Sequence, residues 1–362
     1  MSKAALRYGY TTGACAAAAA KGAALMLRGQ EIVEEVELVL PGDVFARFRL
    51  HGQKLGEGSA SCYVIKDSGD DPDVTNGAEI HVSVRADYFA ARGIRIEGGA
   101  GVGRVTKPGL AVPVGEWAIN PVPRRMIREV LKEVFAMRCI PMALTVTISI
   151  PNGKELAKKT LNARLGIIGG LSILGTTGIV RPVSAEAWTD TINAAIDVAV
   201  ACGRETLVLS GGRTSELAAQ AYFRERASGT GLGEESFVMM GDHVGFAIRA
   251  CVRKGVKKVI LAGQFAKLLK IACGHEQTHA SSSTLDLQTL VQWLTLAPGT
   301  SHLADLSTRA NTARQVLEDS GNDPSLVRIV CDRAGQYGKT MAPGANIKVL
   351  LAGYGGEVLY FG

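Results

Sequence analysis

Residues 206–212, Thr206-Leu207-Val208-Leu209-Ser210-Gly211-Gly212, decide the fold of this chain. The run is apolar at its centre and too short for a helix. Two glycines and a helical pattern opening near Thr214 follow it, so it reads as a buried strand feeding a tight turn. The unit recurs as strand Ser236–Met240, Gly241 and a helix over 244–253, then as strand Lys258–Ala262, Gly263 and a helix over 264–272. A helix over 184–201, opened by Ser184 and closed by Gly203, precedes the series. Further strands are expected at Val327–Cys331 and Ile347–Leu351. Short buried strands alternating with helices specify a doubly wound, Rossmann-like parallel sheet. Such sheets take ligands beyond the carboxyl ends of their strands. Gly211, Gly212, Gly241 and Gly263 are therefore expected to rim one crevice suited to a nucleoside cofactor, with Asp242 meeting its ribose or amino group.

The first half has a different rhythm. Val36, Leu38 and Leu40, then Ala46, Phe48 and Leu50, then Ile80, Val82 and Val84, then Leu144, Val146, Ile148 and Ile150 recur every second residue, as in strands with one solvated face. Ile127, Val130, Leu131, Val134 and Phe135 follow two prolines at helical spacing and predict a helix near 123–137. Tyr8-Gly9-Tyr10-Thr11-Thr12-Gly13-Ala14-Cys15 leads into five alanines, an expected helix over about 14–28 with Thr11 or Thr12 as its cap. The chain is thus an α/β protein of two domains: residues 1–180, α+β, and residues 181–362, Rossmann-like, the boundary lying between about 155 and 185.

At 362 residues the chain is long enough for two cores. No stretch approaches the ~20 apolar residues of a membrane span, and the alanine run, broken by Lys21, makes a poor signal peptide. Seven dispersed cysteines without a Cys-x-x-Cys pair point to reduced thiols, a cytoplasmic setting and no structural zinc. A net charge of +6 spread along the chain, with 6% aromatics, argues against nucleic acid and for a small polyanionic substrate.

Three segments carry candidate chemistry. Gly98–Gly103 with Arg104, Thr106 and Lys107 is a glycine loop bearing two cations, suited to carboxylates or phosphates although it is no Walker sequence. Asp67–Gly77 holds four carboxylates without EF-hand order, as capped turns or as partners for a substrate's amide and ring nitrogens. Gly175-Thr176-Thr177-Gly178 echoes the opening Thr-Thr-Gly, so both turns are expected to face one cleft. Asp242-His243 sets an acid and a base at a strand end. His275-Glu276-Gln277-Thr278-His279 matches the zinc-protease letters, but the adjoining glycine and serines make it a helix end and loop.

Gly9–Gly13 with the alanine helix, Asp70–Gly77, Gly101–Gly109 and Gly175–Pro182 together resemble the CbiD family of cobalt-precorrin-5B C1-methyltransferases, in family order and across nearly the whole chain. Gly263–Lys270 and Gly274 with Thr278-His279 resemble it more loosely, Ala266 standing where a glycine is usual. Ser210-Gly211-Gly212-Arg213 also departs from the family's Pro-Gly-Asn.

The resemblance implies methyl transfer from S-adenosylmethionine to C1 of a cobalt-bearing tetrapyrrole, giving cobalt-precorrin-6A in anaerobic cobalamin biosynthesis. Cobalt then arrives only within the substrate, and no protein metal site is expected. The macrocycle side is expected to use Thr11, Thr12, Asp70, Asp71, Arg104, Lys107, Thr176, Thr177, Arg181 and Lys267, with the alanine helix as a flat wall and its positive end toward the ring's acid arms. His243 or His279 is the expected base where a ring proton is lost. A homodimer and hand-over from neighbouring pathway enzymes fit this reading. The alternatives are a non-catalytic corrinoid carrier and a small-molecule kinase using the Gly98–Gly103 loop.

Overall fold

The computed structural model describes residues 6–87, 93–135, 143–182, 184–225 and 231–362. They divide into two compact units, Met1–Ser184 and Ala185–Gly362. Cys139 and the end of the helix expected over 123–137 lie outside the described residues.

The first unit opens with β1 (Gly9–Tyr10) and α1 (Thr12–Gly29). Then come β2 (Glu35–Leu40), β3 (Val44–Arg49), β4 (His51–Gly56), β5 (Ser59–Ile65), β6 (Glu79–Asp87), β7 (Gly93–Gly98) and β8 (Arg104–Val105). After these follow α2 (Pro121–Val134), β9 (Ala143–Ser149), α3 (Gly153–Ala157), β10 (Ile167–Ile168) and β11 (Ile179–Val180). A mixed sheet runs in the order β4-β5-β6-β9-β7, antiparallel except where β7 joins β9. Its inward residues are those of the period-two pattern: Ala60, Cys62 and Val64, Ile80, Val82 and Val84, and Leu144, Val146 and Ile148 are all buried.

Helix α1 packs on β5, β6, β2 and α2, and Ala14 through Ala20 lie fully inside the core. Small side chains permit this close packing, and they also remove the helix as a ligand surface. The wall expected for the macrocycle is interior.

The second unit holds α4 (Ala185–Ala201), β12 (Thr206–Ser210), α5 (Arg213–Glu225), β13 (Phe237–Met239), α6 (Val244–Arg253), β14 (Lys258–Gln264) and α7 (Phe265–Ala272). Beyond them lie α8 (Leu287–Leu296), α9 (Ser301–Arg309), α10 (Ala313–Asp319), α11 (Pro324–Met341), β15 (Asn346–Ala352) and β16 (Val358–Phe361). The sheet order is β13-β12-β14-β15-β16, parallel apart from β16. Val208, Ile260 and Leu350 meet Ala218 and Ala219 of α5 on one face. On the other, Leu207, Val259, Leu261 and Val349 meet α4, α6, α7 and α11. From β12 the chain steps to β13 on one side and then to β14 on the other, so the order reverses between β12 and β14.

The strand expected at Val327–Cys331 is instead the middle of α11. Asp323 caps that helix by accepting from Ser325 N and Leu326 N, Pro324 sits at its first position, and Leu326, Val327, Val330, Cys331 and Ala334 form its buried stripe. Over five residues an apolar stripe at helical spacing resembles a buried strand, and the cap upstream separates them.

Candidate functional site

In the first unit the two Thr-Thr-Gly turns meet. Strand β1 pairs with β11, Gly9 opposite Val180 and Tyr10 opposite Ile179. Thr11 N donates to Gly178 O at 2.9 Å, and Gly13 N to Leu174 O at 3.0 Å. Thr11 caps α1 through Ala14 N at 3.2 Å, and Thr12 Oγ1 accepts from Leu174 N at 3.0 Å while facing the Ser172 and Leu174 carbonyls. Both hydroxyls and the N–H groups of Gly13 and Ala14 are therefore occupied within the protein, which closes the helix end expected to receive the substrate's carboxylates. Thr176 and Thr177 stand exposed on the second turn, with Arg181 just after β11.

The acidic loop clasps the same place. Tyr10 N donates to Asp67 O at 2.7 Å, Arg7 pairs with Asp67, and Arg7 N donates to Asp70 Oδ2 at 2.6 Å while Asp70 N returns to Arg7 O. Beneath it lies a residue that the sequence reading passed over. Lys66, 2% exposed, donates to Ser68 Oγ and to Asp73 Oδ2, the latter at 2.7 Å. Burial pushes the Asp73 carboxyl up, but hydrogen bonds from Lys66 and Thr75 outweigh it and hold the group below the usual carboxylate range. Extending the alternation of Ala60, Cys62 and Val64 points position 66 inward, which was the available clue. Burial pushes the neighbouring Cys15 thiol up to about 12, so it is no nucleophile at neutral pH.

The glycine loop is itself packed. A Cβ on Gly101, at φ +75°, would lie 1.9 Å from the Ile150 carbonyl. Gly99 N donates to Ile148 O and Gly103 N to Leu171 O, so these donors are not free to cradle a phosphate as the kinase alternative requires. Arg104 stacks over Trp117 at 4.0 Å and donates to Gly115 O. Lys107 lays its stem on Gly166 and reaches Arg164 O at 3.3 Å. Asp71 is half-buried in the acidic loop.

The second unit gathers its candidates at the carboxyl ends of β12, β13 and β14. Gly211 N donates to Ala262 O at 2.9 Å, and a Cβ on Gly211 would lie 3.6 Å from Gly241 O. Gly212 opens onto free space. Gly263 departs from expectation: β14 continues through it, paired with Leu351, so it packs on Leu268 instead of forming a turn.

Asp242 follows Gly241 and accepts from Lys267 Nζ at 2.8 Å and from Thr278 Oγ1 at 2.7 Å. Burial raises its pKa, but these two bonds together with the nearby positive charges outweigh that rise and hold it below the usual range. Lys267, expected among the substrate's cations, is thus committed to Asp242 and to the Gly211 carbonyl. One turn along α7, Lys270 donates to Thr278 O at 2.9 Å. The two lysines anchor Asp242 and Thr278 to α7, while Thr278 N donates to Asp242 O and Gly245 N to Glu276 O, tying the 276–279 segment to the start of α6. That segment is loop, with Glu276 held by Arg249 at 2.7 Å, so the zinc-protease letters have no helix to place them.

Each histidine has one committed nitrogen. His279 Nδ1 accepts the Ser281 N–H at 3.2 Å, so its neutral ring carries the proton on Nε2 and presents a donor. His243, at the cap of α6, shares a 3.2 Å bond between Nδ1 and the Gln277 amide. Nδ1 of each ring thus faces an N–H donor, Gln277 Nε2 for His243 and Ser281 N for His279, and these contacts single out neither as the base.

Comparison with known proteins identifies the family. The CbiD family model matches residues 1–182, and the model of the CbiD C-terminal domain matches residues 277–361. Proteins from Geotalea daltonii and Geobacter sulfurreducens, both named cobalt-precorrin-5B C(1)-methyltransferase, are 64% and 65% identical over 100% of this chain and 100% of their own. A crystal structure of the cobalamin biosynthesis protein (cbiD) from Archaeoglobus fulgidus matches 75% of this chain and 81% of its own at 29% identity, with a TM-score of 0.38. Matched by its family model over its first half and by close relatives from end to end, the chain belongs to the CbiD family.

Proposed function

We propose that this chain is a cytoplasmic enzyme that transfers a methyl group from S-adenosylmethionine to C1 of cobalt-precorrin-5B. The observation that carries this reading is the naming of relatives 61–66% identical over essentially the whole chain as cobalt-precorrin-5B C(1)-methyltransferases. The strand-end cluster of the second unit supports it from the side of the donor. Ligands of parallel sheets lie where the strand order reverses; Gly211 ends β12 on one side of that reversal, Lys267 follows β14 on the other, and Lys267 holds Asp242 beside them.

In this reading the second unit is a Rossmann-like donor domain, with Asp242 toward the ribose. Arg104, Lys107, Thr176, Thr177 and Arg181 of the first unit take the tetrapyrrole's acid arms. An electron pair of the macrocycle attacks the methyl carbon in line with the carbon–sulfur bond. That bond breaks toward sulfur, leaving S-adenosylhomocysteine as a neutral thioether. The sulfonium leaves readily, so the protein supplies alignment, worth ~7–11 kcal/mol where geometry is ideal. Cobalt enters as part of the substrate.

The test is anaerobic incubation of the purified chain with methyl-labelled S-adenosylmethionine and cobalt-precorrin-5B. Label in the macrocycle supports the reading. A macrocycle bound without label would make the protein a carrier and end it.

A further inference from the structure

One large side chain at the donor end of the second unit has no assigned role. Trp188, in the first turn of α4, donates from Nε1 to the Met240 carbonyl at 3.1 Å, which fixes the rotation of the ring. A Cβ on Gly241 would lie 3.1 Å from the indole Cζ2 and Nε1. The ring therefore rests closely on Gly241, where a side chain would be tight against it and a φ of +60° favours glycine.

With its N–H satisfied internally, what Trp188 shows to solvent is hydrocarbon, and it is 43% exposed. The other two tryptophans are covered. Arg104 lies over Trp117 at 4.0 Å and Arg333 over Trp293 at 4.3 Å. Among the described residues no cation covers Trp188, and it joins none of the apolar clusters. A single exposed apolar residue needs no explanation on a free surface. This one is held by its N–H at Met240, just past the end of β13 and two positions before Asp242.

Resting on the reading of this end as the donor site, we propose that Trp188 is the stacking wall for the purine ring of the methyl donor. In parallel sheets of this class an acidic side chain at a neighbouring strand end takes the ribose hydroxyls. With the ribose at Asp242, the purine falls outward over the end of β13, where the indole stands, and the sulfonium tail runs toward Gly211 and Gly212. A flat heteroaromatic ring on a rigid indole needs no further hydrogen bond to gain affinity.

The test is calorimetric titration of the full chain with S-adenosylhomocysteine, and with adenosine as the fragment lacking the amino-acid tail. Trp188→Ala should weaken both ligands about tenfold or more, the range seen for base stacking on aromatic side chains. Trp188→Phe should stay within about threefold of the unchanged protein, because a stacking face remains. In turnover, Trp188→Ala should raise KM for the donor and leave KM for the macrocycle unchanged. Trp188→Leu, which keeps apolar bulk without an aromatic face, should follow the alanine variant. Unchanged S-adenosylhomocysteine affinity in Trp188→Ala or Trp188→Leu would overturn the proposal while leaving the donor site standing. Failure of the unaltered chain to bind S-adenosylhomocysteine would overturn both.

Discussion

Lys267 Nζ lies 2.8 Å from Asp242 Oδ1 and also meets the Gly211 carbonyl, so one ammonium group ties the end of β12 to the turn after β13. A hydrogen bond to a charged partner is worth about 1.5–3 kcal/mol where it replaces solvent. Lys267→Met should therefore loosen the strand ends and reduce S-adenosylhomocysteine affinity about tenfold or more. Asp242→Asn, which keeps the shape but not the charge, should fall between that variant and the unaltered protein. Equal affinity in all three, measured by calorimetry, would remove this pair from the donor site.

Lys66 and Asp73 make a pair of unequal burial, with side-chain exposures of 1% and 25%. Removing the carboxylate strands a buried ammonium group, whereas removing the lysine leaves a carboxylate that water can reach. Asp73→Ala should cost about 3–5 kcal/mol and Lys66→Met less, about 1–3 kcal/mol. Urea unfolding of the two variants decides the order, and the reverse order would contradict it.

The two threonine turns should separate structure from binding. Thr12→Val loses the bond accepted from Leu174 N and should lower stability by about 1–2 kcal/mol. Thr176→Ala and Thr177→Ala alter exposed positions and should leave stability within about 0.5 kcal/mol. Thermal unfolding beside macrocycle titration tests this, with Thr176 and Thr177 affecting only the titration. Likewise Lys107→Ala should weaken macrocycle binding and leave donor binding unchanged.

Asp73 and Asp242 are both held below 3.8, their usual value, in the folded chain. Between the folded and unfolded values the unfolded chain binds more protons, so stability rises with pH there. Their contribution is complete above the unfolded value and is lost as pH falls through the folded ones. Urea midpoints should be nearly flat from about pH 7 to pH 5 on this account and fall below about pH 4. In Asp73→Asn the acid fall should be shallower, and an identical slope would remove Asp73 from the account.

Much of this protein was legible from the residues in order. Period-two runs such as Ile80, Val82 and Val84, and strand–glycine–helix units such as Thr206 to Thr214, depend on neighbours a few positions apart, so the sequence alone determined both architectures and the family motifs. The error at Val327–Cys331 arose where five residues satisfy either periodicity. Partnerships across long separations were not legible. Thr12 is occupied by Ser172 and Leu174, 160 and 162 positions away, and α1 is interior because β5, β6, β2 and α2 close over it. Lys267 belongs to Asp242 because the sheet order brings β14 and β13 to either side of β12. Which polar groups are already satisfied inside the protein, and which remain for a ligand, is set by chain closure and burial. Only the tertiary structure decided that.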